Sequence, residues 1–344
     1  MTDAPTPSAV PLSLLDRALT RTGVPDATIL AEVADRARRA EDLGFHGFWV
    51  AEHHAVPGIA GSAPTVLAAA IAGATNRIRV GTGGIMVPAH PPFIIAEAIA
   101  VLTALHPGRL DWGLGASTGF TSAVRRVLQQ SDDAADRFGD DVGRVLEALD
   151  GTSPVTLRPQ LSTPAPLHVL TGGARLPLAA RCGLGAVVGG PSVHPPADAD
   201  APRRGRPGHP GLADYRRTFR PSPHGPVPRV TVSVSVSVAD TPEAARRLAL
   251  PEAWATALSR STGSFDPLRP ADELDPARLT RQQDERVERA LAQTVHGTPE
   301  QVQERLTNIV RWTGADELLL TGGVSDPAGG ARSDRLLAGL RVEP

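Results

Sequence analysis

Apolar and polar positions along the chain switch repeatedly between a short strand-like run and a helical period. Pro11 to Asp16 is a short apolar run ending in a carboxylate, read as a first strand. Residues 27–43 then place Ile29, Leu30, Val33, Ala37 and Ala40 at helical spacing, with Gly44 as the stop. Phe48 to Glu52 reads as a second strand, Pro64 to Ala74 as an Ala-rich helix, and Ile78 to Met86 as a third strand with glycines in its C-terminal half. A helix follows from Pro92 to Leu105, ended by Pro107-Gly108, and Leu110 to Gly115 is a fourth strand. The second half continues with a charged helix over 132–149, a strand over Leu167–Thr171, a helix over Leu176–Cys182 and a strand over Ala186–Gly190. Arg229–Val238, RVTVSVSVSV, alternates Val with Ser or Thr as a seventh strand. A helix over Pro299–Trp312, an eighth strand over Glu317–Thr321 and a final helix near 332–340 complete the series.

Eight strands interleaved with helices predict an α/β protein with a (β/α)8 TIM barrel. A doubly wound open sheet shares the same rhythm, but no GxGxxG follows the first strand. Residues 1–10 read as a disordered leader and 11–344 as a single barrel domain. Residues 191–228, rich in Pro, Gly and Arg, read as a long mobile loop, and 240–298 as a helix with a polar, Pro-broken stretch. Both would be connections at the C-terminal face, where barrel enzymes carry their sites.

Composition removes several chemistries. All 35 basic side chains are Arg, so a lysine Schiff base, a pyridoxal anchor and a P-loop lysine are excluded. The single Cys182 rules out an intramolecular disulfide and a multi-cysteine zinc site, and points to a cytoplasmic location. No basic stripe with interleaved aromatics argues for nucleic acid, no 18-residue apolar run argues for a membrane, and MTDAPTPSAV has no signal-peptide pattern.

The candidate chemistry collects at strand ends. Glu52-His53-His54 stands where the second strand stops, a pattern suited to proton transfer or metal binding. Adjacent histidines on a strand point to opposite faces, so only one is expected to enter the barrel mouth, and no metal site is expected. Gly81, Gly83 and Gly84 within one strand suggest close approach of backbone to a ligand, with tight strand packing as the alternative. Thr171-Gly172-Gly173-Ala174-Arg175 opens a helix with free N–H groups and a guanidinium, a pattern suited to phosphate.

The stretches AEDLGFHGFWVAEHH (40–54), SAPTVLAAAIAGATNRIRVGTGGIMVPAH (62–90) and AEAIAVLTALHPGRLDWGLG (96–115) resemble the bacterial-luciferase-like flavin-dependent oxidoreductases, specifically the small single-chain bacterial group. Further matches are YRRTFRPS (215–222), ADTPEAARRLA (239–249), HGTPEQVQERL (296–306) and GADELLLT (314–321), which together span nearly the whole chain in order. The resemblance implies a (β/α)8 barrel, usually homodimeric, binding reduced FMN or a deazaflavin at its C-terminal mouth. It implies a monooxygenase that uses FMNH2 and O2, through a C4a-hydroperoxyflavin, to oxygenate an organic small molecule, with a flavin reductase supplying FMNH2. A deazaflavin-dependent hydride-transfer enzyme and an inactive flavin-binding barrel are the alternatives.

By the same resemblance His53 faces the flavin as the catalytic residue, beside Glu52. Gly83-Gly84 matches a cis peptide packed under the flavin ring, and Val169, Leu170, Thr171, Gly172 and Gly173 flank the flavin and its phosphate. His54, Met86, His90 and His194 are expected toward the substrate. Many relatives carry Arg after GLG in the fourth strand, where this chain has Ala116; Arg175, or failing it Arg137, is expected to replace that guanidinium.

Overall fold

The computed structural model describes residues 9–196 and 208–344. Nine strands lie in chain order as β1 (Leu12–Asp16), β2 (Gly47–Val50), β3 (Arg79–Met86), β4 (Leu110–Gly115), β5 (Leu167–Thr171), β6 (Gly185–Val188), β7 (Val230–Val238), β8 (Val295–Gly297) and β9 (Glu317–Thr321). Among the described residues, helices are α1 (Asp26–Leu43), α2 (Pro64–Ala74), α3 (Pro92–Leu105), α4 (Ser122–Val127), α5 (Phe138–Leu149), α6 (Leu176–Cys182), α7 (Pro210–Thr218), α8 (Pro242–Thr262), α9 (Arg281–Gln293), α10 (Pro299–Thr313) and α11 (Pro327–Ala338).

Strands β1 to β7 pair in sequence, all parallel, and β9 closes the ring between β7 and β1. This is the (β/α)8 barrel that the rhythm predicts. The ninth strand, β8, lies outside the ring and pairs only with the last residues of β7; at three residues it is too short to show a period.

The strand sequences explain the layering. In β7 the valines are buried while Thr231, Ser233, Ser235 and Ser237 occupy the alternate face, so that small polar groups occupy the barrel interior. The outward-facing apolar residues join the helices in one continuous core that includes Phe48, Val169 and Val232. Inside the ring, Leu15, Trp49, Ala51, Val187 and Leu319 form a separate small cluster.

Below that cluster the barrel is closed by charge. Arg79 grips Asp111 through two bonds of 2.7 and 2.8 Å, and Ser13 and Arg229 both donate to Glu317 at 2.5 and 2.8 Å. Arg79 and His168 hold the Asp111 carboxyl well below the usual range against the opposing effect of burial. The Trp49 ring lies above this layer, edge-on to His168 with centroids 5.6 Å apart. A Cβ on Gly81 would stand 2.3 Å from the Trp49 ring, so this glycine serves packing of the barrel floor, not ligand approach.

Several boundaries differ from expectation for local reasons. The charged run from 132 forms turns first, and α5 begins only at Phe138. Val10, expected in a disordered leader, is buried and donates its N–H to the Val342 carbonyl at 2.8 Å; residues 1–8 lie outside the described residues. The expected mobile loop 191–228 contains α7, whose Leu212 and Tyr215 are buried, with the Tyr215 hydroxyl donating to the Leu184 carbonyl at 2.8 Å. Its residues 197–207 lie outside the described residues. The 240–298 stretch is a pair of helices, α8 and α9, with a core of its own around Ala253, Trp254, Val287 and Leu291. No helix among the described residues is long and apolar enough to cross a membrane.

Candidate active site

At the C-terminal ends of the strands, above Leu15 and Leu319, lies a cavity of about 590 Å³. Its wall takes residues from the ends of β2, β3, β4, β5, β6 and β7, as strand-end loops of a parallel barrel converge there.

Glu52, His53 and His54 all line it. The regular strand ends at Val50, two residues before Glu52, so strand alternation no longer governs the two histidines. This overturns the expectation that only one could enter the mouth. Glu52 has a fully buried side chain that joins three segments. Its Oε1 accepts from His54 Nε2 at 2.6 Å and from His90 Nε2 at 2.6 Å, and its Oε2 accepts from the Met86 N–H at 2.7 Å. A carboxylate only accepts, so both imidazoles present N–H groups to it. The hydrogen bond to Glu52 pushes the His90 pKa up against burial. The ligand atoms of Glu52, His54 and His90 lie within 4.8 Å of one another, a spacing compatible with a metal ion; the two N–H donations already engage them.

His53 differs from its neighbour. Its backbone N–H is tied to the Gly61 carbonyl at 2.9 Å, its ring stacks on Phe120 at 6.1 Å, and its Nδ1 is buried with no partner among the described residues. Burial, aided by the Arg17 charge and opposed by Glu52, pushes its pKa down to about 4, so the ring is neutral at neutral pH.

The adjoining wall, built from the end of β3 onward, is largely glycine. The Gly83-Gly84 peptide is cis and lines the cavity. A Cβ on Gly84 would stand 2.7 Å from the Gly113 carbonyl oxygen, and one on Gly83 would stand 2.8 Å from Leu15 Cδ1. Gly115, Ala116, Gly172 and Gly189 extend this flat, side-chain-poor surface. At the rim Thr171 Oγ1 accepts from the Gly173 N–H at 2.9 Å and the Arg175 N–H at 3.0 Å, shaping the turn into α6. Arg175 lines the cavity with its guanidinium 5.1 Å above the Phe138 ring. Among the described residues no carboxylate pairs with it.

The other expected residues fall into two groups. Leu170, Thr171, Gly172 and Met86 line the cavity, while Gly173 shapes the rim and His90 reaches it through Glu52. Val169, Arg137 and His194 do not. Val169 is fully buried in the core between barrel and helices, because alternation along β5 gives the inner face to Leu170. Arg137 stands at the start of α5 and turns to Asp133 at 3.5 Å and Ser131 at 3.1 Å. His194 ends a short 3-10 turn and lies near Arg305 of α10; burial, aided by that charge, keeps its pKa low. Sequence reasoning missed Phe120, Val187, Ser233 and Leu319. For Phe120 a signal existed, an aromatic directly after Gly119 in the glycine-rich segment that follows the fourth strand.

Comparison with known proteins agrees with this geometry. The family of luciferase-like monooxygenases matches residues 17–317. A luciferase-like monooxygenase of Escherichia coli is 31% identical over 98% of this chain and 99% of its own. The uncharacterised YvbT of Bacillus subtilis is 33% identical over 88% of each chain. Among solved structures, the apo form of MsnO8 superposes with a TM-score of 0.79 at 29% identity, covering 96% of this chain and 97% of its own. Two more distant structures share the fold: the FMN complex of the oxygenating constituent of 3,6-diketocamphane monooxygenase from Pseudomonas putida (TM-score 0.69, 18% identity, 97% and 98% covered) and an F420-dependent secondary alcohol dehydrogenase (TM-score 0.64, 17% identity, 95% and 97% covered). With the barrel, the strand-end cavity and a match over most of its length, the chain belongs to the luciferase-like monooxygenases.

Proposed function

We propose that the protein is a monooxygenase that uses FMNH2 and O2 to oxygenate an organic small molecule, with reduced flavin delivered by a separate reductase. The observation that carries this reading is the cavity's two-sided build. Its glycine wall at Gly83, Gly84 and Gly115 offers a flat face to a planar ring, and the Thr171–Arg175 rim offers a guanidinium to a phosphate. These residues fit FMN. Bound reduced FMN would supply the electrons for O2 activation.

The chain's own residues do the rest. Leu15, Met86, Leu170, Val187 and Leu319 exclude water from the floor and walls. His53, kept neutral and lining the cavity, would offer a hydrogen-bonding ring nitrogen to bound flavin and support the oxygen chemistry. Arg175, lining the cavity with no carboxylate partner among the described residues, supplies the guanidinium for the flavin phosphate. The same glycine wall would accept a deazaflavin, in which case hydride transfer replaces oxygenation. A cytoplasmic location and a homodimer complete the reading. The dimer rests on α2 and α3, which leave Val66, Ile94, Val101 and Leu105 exposed.

The test is oxygen uptake in the presence of a flavin reductase, FMN and NADH, across a panel of thioethers, ketones and aldehydes. Substrate-dependent formation of an oxygenated product supports the proposal. Uptake that yields only hydrogen peroxide with every compound, together with turnover on a reduced deazaflavin, contradicts it.

A further inference from the structure

The helix pair α8–α9 carries a groove of about 410 Å³ that shares no residue with the strand-end cavity. Its lining repeats at helical spacing on both helices. The small side chains of Ala257 on α8 and Ala290 on α9 leave the space open, and Arg260, Arg286 and Arg289 stand around it with Thr256. No carboxylate lines the groove. Among the described residues none of the three arginines pairs with an acid, because the nearby acids are engaged by other arginines. Glu288 accepts from Arg246 at 2.6 Å, and Glu285 accepts from Arg281 at 3.0 Å. Arg286 is half-buried, so part of its charge is withdrawn from water without a counter-charge among the described residues. The platform beneath is packed: Trp254, Val287 and Leu291 are buried in the core of the pair.

Three guanidiniums held around one groove repel one another, and a multiply charged anion between them offsets that repulsion. The planar guanidinium donates two parallel N–H bonds to the oxygens of a phosphate, which a lone halide cannot receive. We propose that this groove binds the phosphate group of a small anion, with Arg286 as its principal contact and Arg260 and Arg289 on either side. The Thr256 hydroxyl, half-buried at the same wall, adds a neutral donor. The site is separate from the Arg175 rim, and the inference rests on neither a flavin nor oxygen chemistry. It also lies on a helix tied to the barrel mouth. Glu252, about two turns before Arg260 on α8, accepts from Arg17 after β1 and from the Gly323 N–H after β9.

The test is calorimetric titration of the full chain, without flavin, with inorganic phosphate, diphosphate and ADP at constant ionic strength set by chloride. Saturable binding is expected, tighter for diphosphate than for phosphate. Diphosphate and ADP binding equally would support a site that reads phosphate groups alone, and tighter ADP would support a nucleotide as the source. Arg286→Gln is expected to weaken diphosphate binding about tenfold or more, the scale of one lost charge-assisted contact. Arg281→Gln removes the same charge from α9 outside the groove and is expected to change affinity less than twofold. Arg175→Ala is expected to keep the binding, which separates the groove from the cavity rim. Circular-dichroism melting of each variant checks that the helix pair is folded. No saturable binding of any of the three probes overturns the proposal. So does equal weakening by Arg281→Gln and Arg286→Gln, which would report net charge only, or loss of binding in Arg175→Ala alone.

Discussion

At the residue scale, what decides each side chain's role is the partner it finds. His53 has none on Nδ1 among the described residues, and burial keeps it neutral. In the unfolded chain it titrates near 6.5 and in the fold near 4, so between those values the unfolded state binds more protons. Wild-type stability therefore falls as pH drops from 6.5 to 4, and His53→Gln should flatten that part of the curve. Urea midpoints across this range would show it; parallel curves would mean the fold does not resist protonation at His53. His53→Ala should also lower turnover by about 10²-fold with the fold intact, and near-normal turnover would reduce it to a packing residue. Arg175 has no carboxylate among the described residues, so its charge is available to a phosphate. Arg175→Ala should weaken FMN binding about tenfold or more, the scale of one charge-assisted contact of roughly 1.5–3 kcal/mol, read by fluorescence titration, and unchanged affinity would remove its phosphate role. Glu52, His53 and the glycine pair are legible in the sequence because they sit at strand ends, where barrel geometry dictates the destination. Arg137 and His194 are not, because their reach depends on where a helix starts and how a turn folds.

At the element scale, β3 shows how one strand serves two purposes. Its Gly81 yields space to Trp49 below, and its Gly83 and Gly84 form the cavity wall above. Gly81→Ala should cost about 1–3 kcal/mol through overpacking, seen in denaturant unfolding, because the added carbon meets an aromatic ring fixed between strands. Unchanged stability would mean that the Trp49 floor is free to move. Strand β7 is legible because strict Val alternation survives nine residues. The short β8 and α4 are not, since three and six residues carry no measurable period. The α8–α9 pair reads in the sequence only as one helix and a polar stretch. Its link to the barrel lies in Glu252, which accepts from Arg17 and from the Gly323 N–H, contacts between residues far apart in sequence that no local pattern reveals.

At the scale of the whole molecule, a charged layer closes one end of the barrel and leaves the strand-end cavity as the place for chemistry. The outer surface adds the exposed apolar residues of α2 and α3. If these bury against a second copy, wild-type protein should run as a dimer in light scattering, and Leu105→Glu with Ile94→Glu should run as a monomer; a monomeric wild type would contradict the dimer. The central claim is that the cavity holds reduced FMN for reaction with O2. Its most direct test is an anaerobic titration of the purified protein with FMNH2 and, separately, with a reduced deazaflavin, followed by O2. The expected result is saturable FMNH2 binding and an oxygen-dependent absorbance change distinct from free flavin. Selective binding of the deazaflavin, or no binding of either, would contradict it.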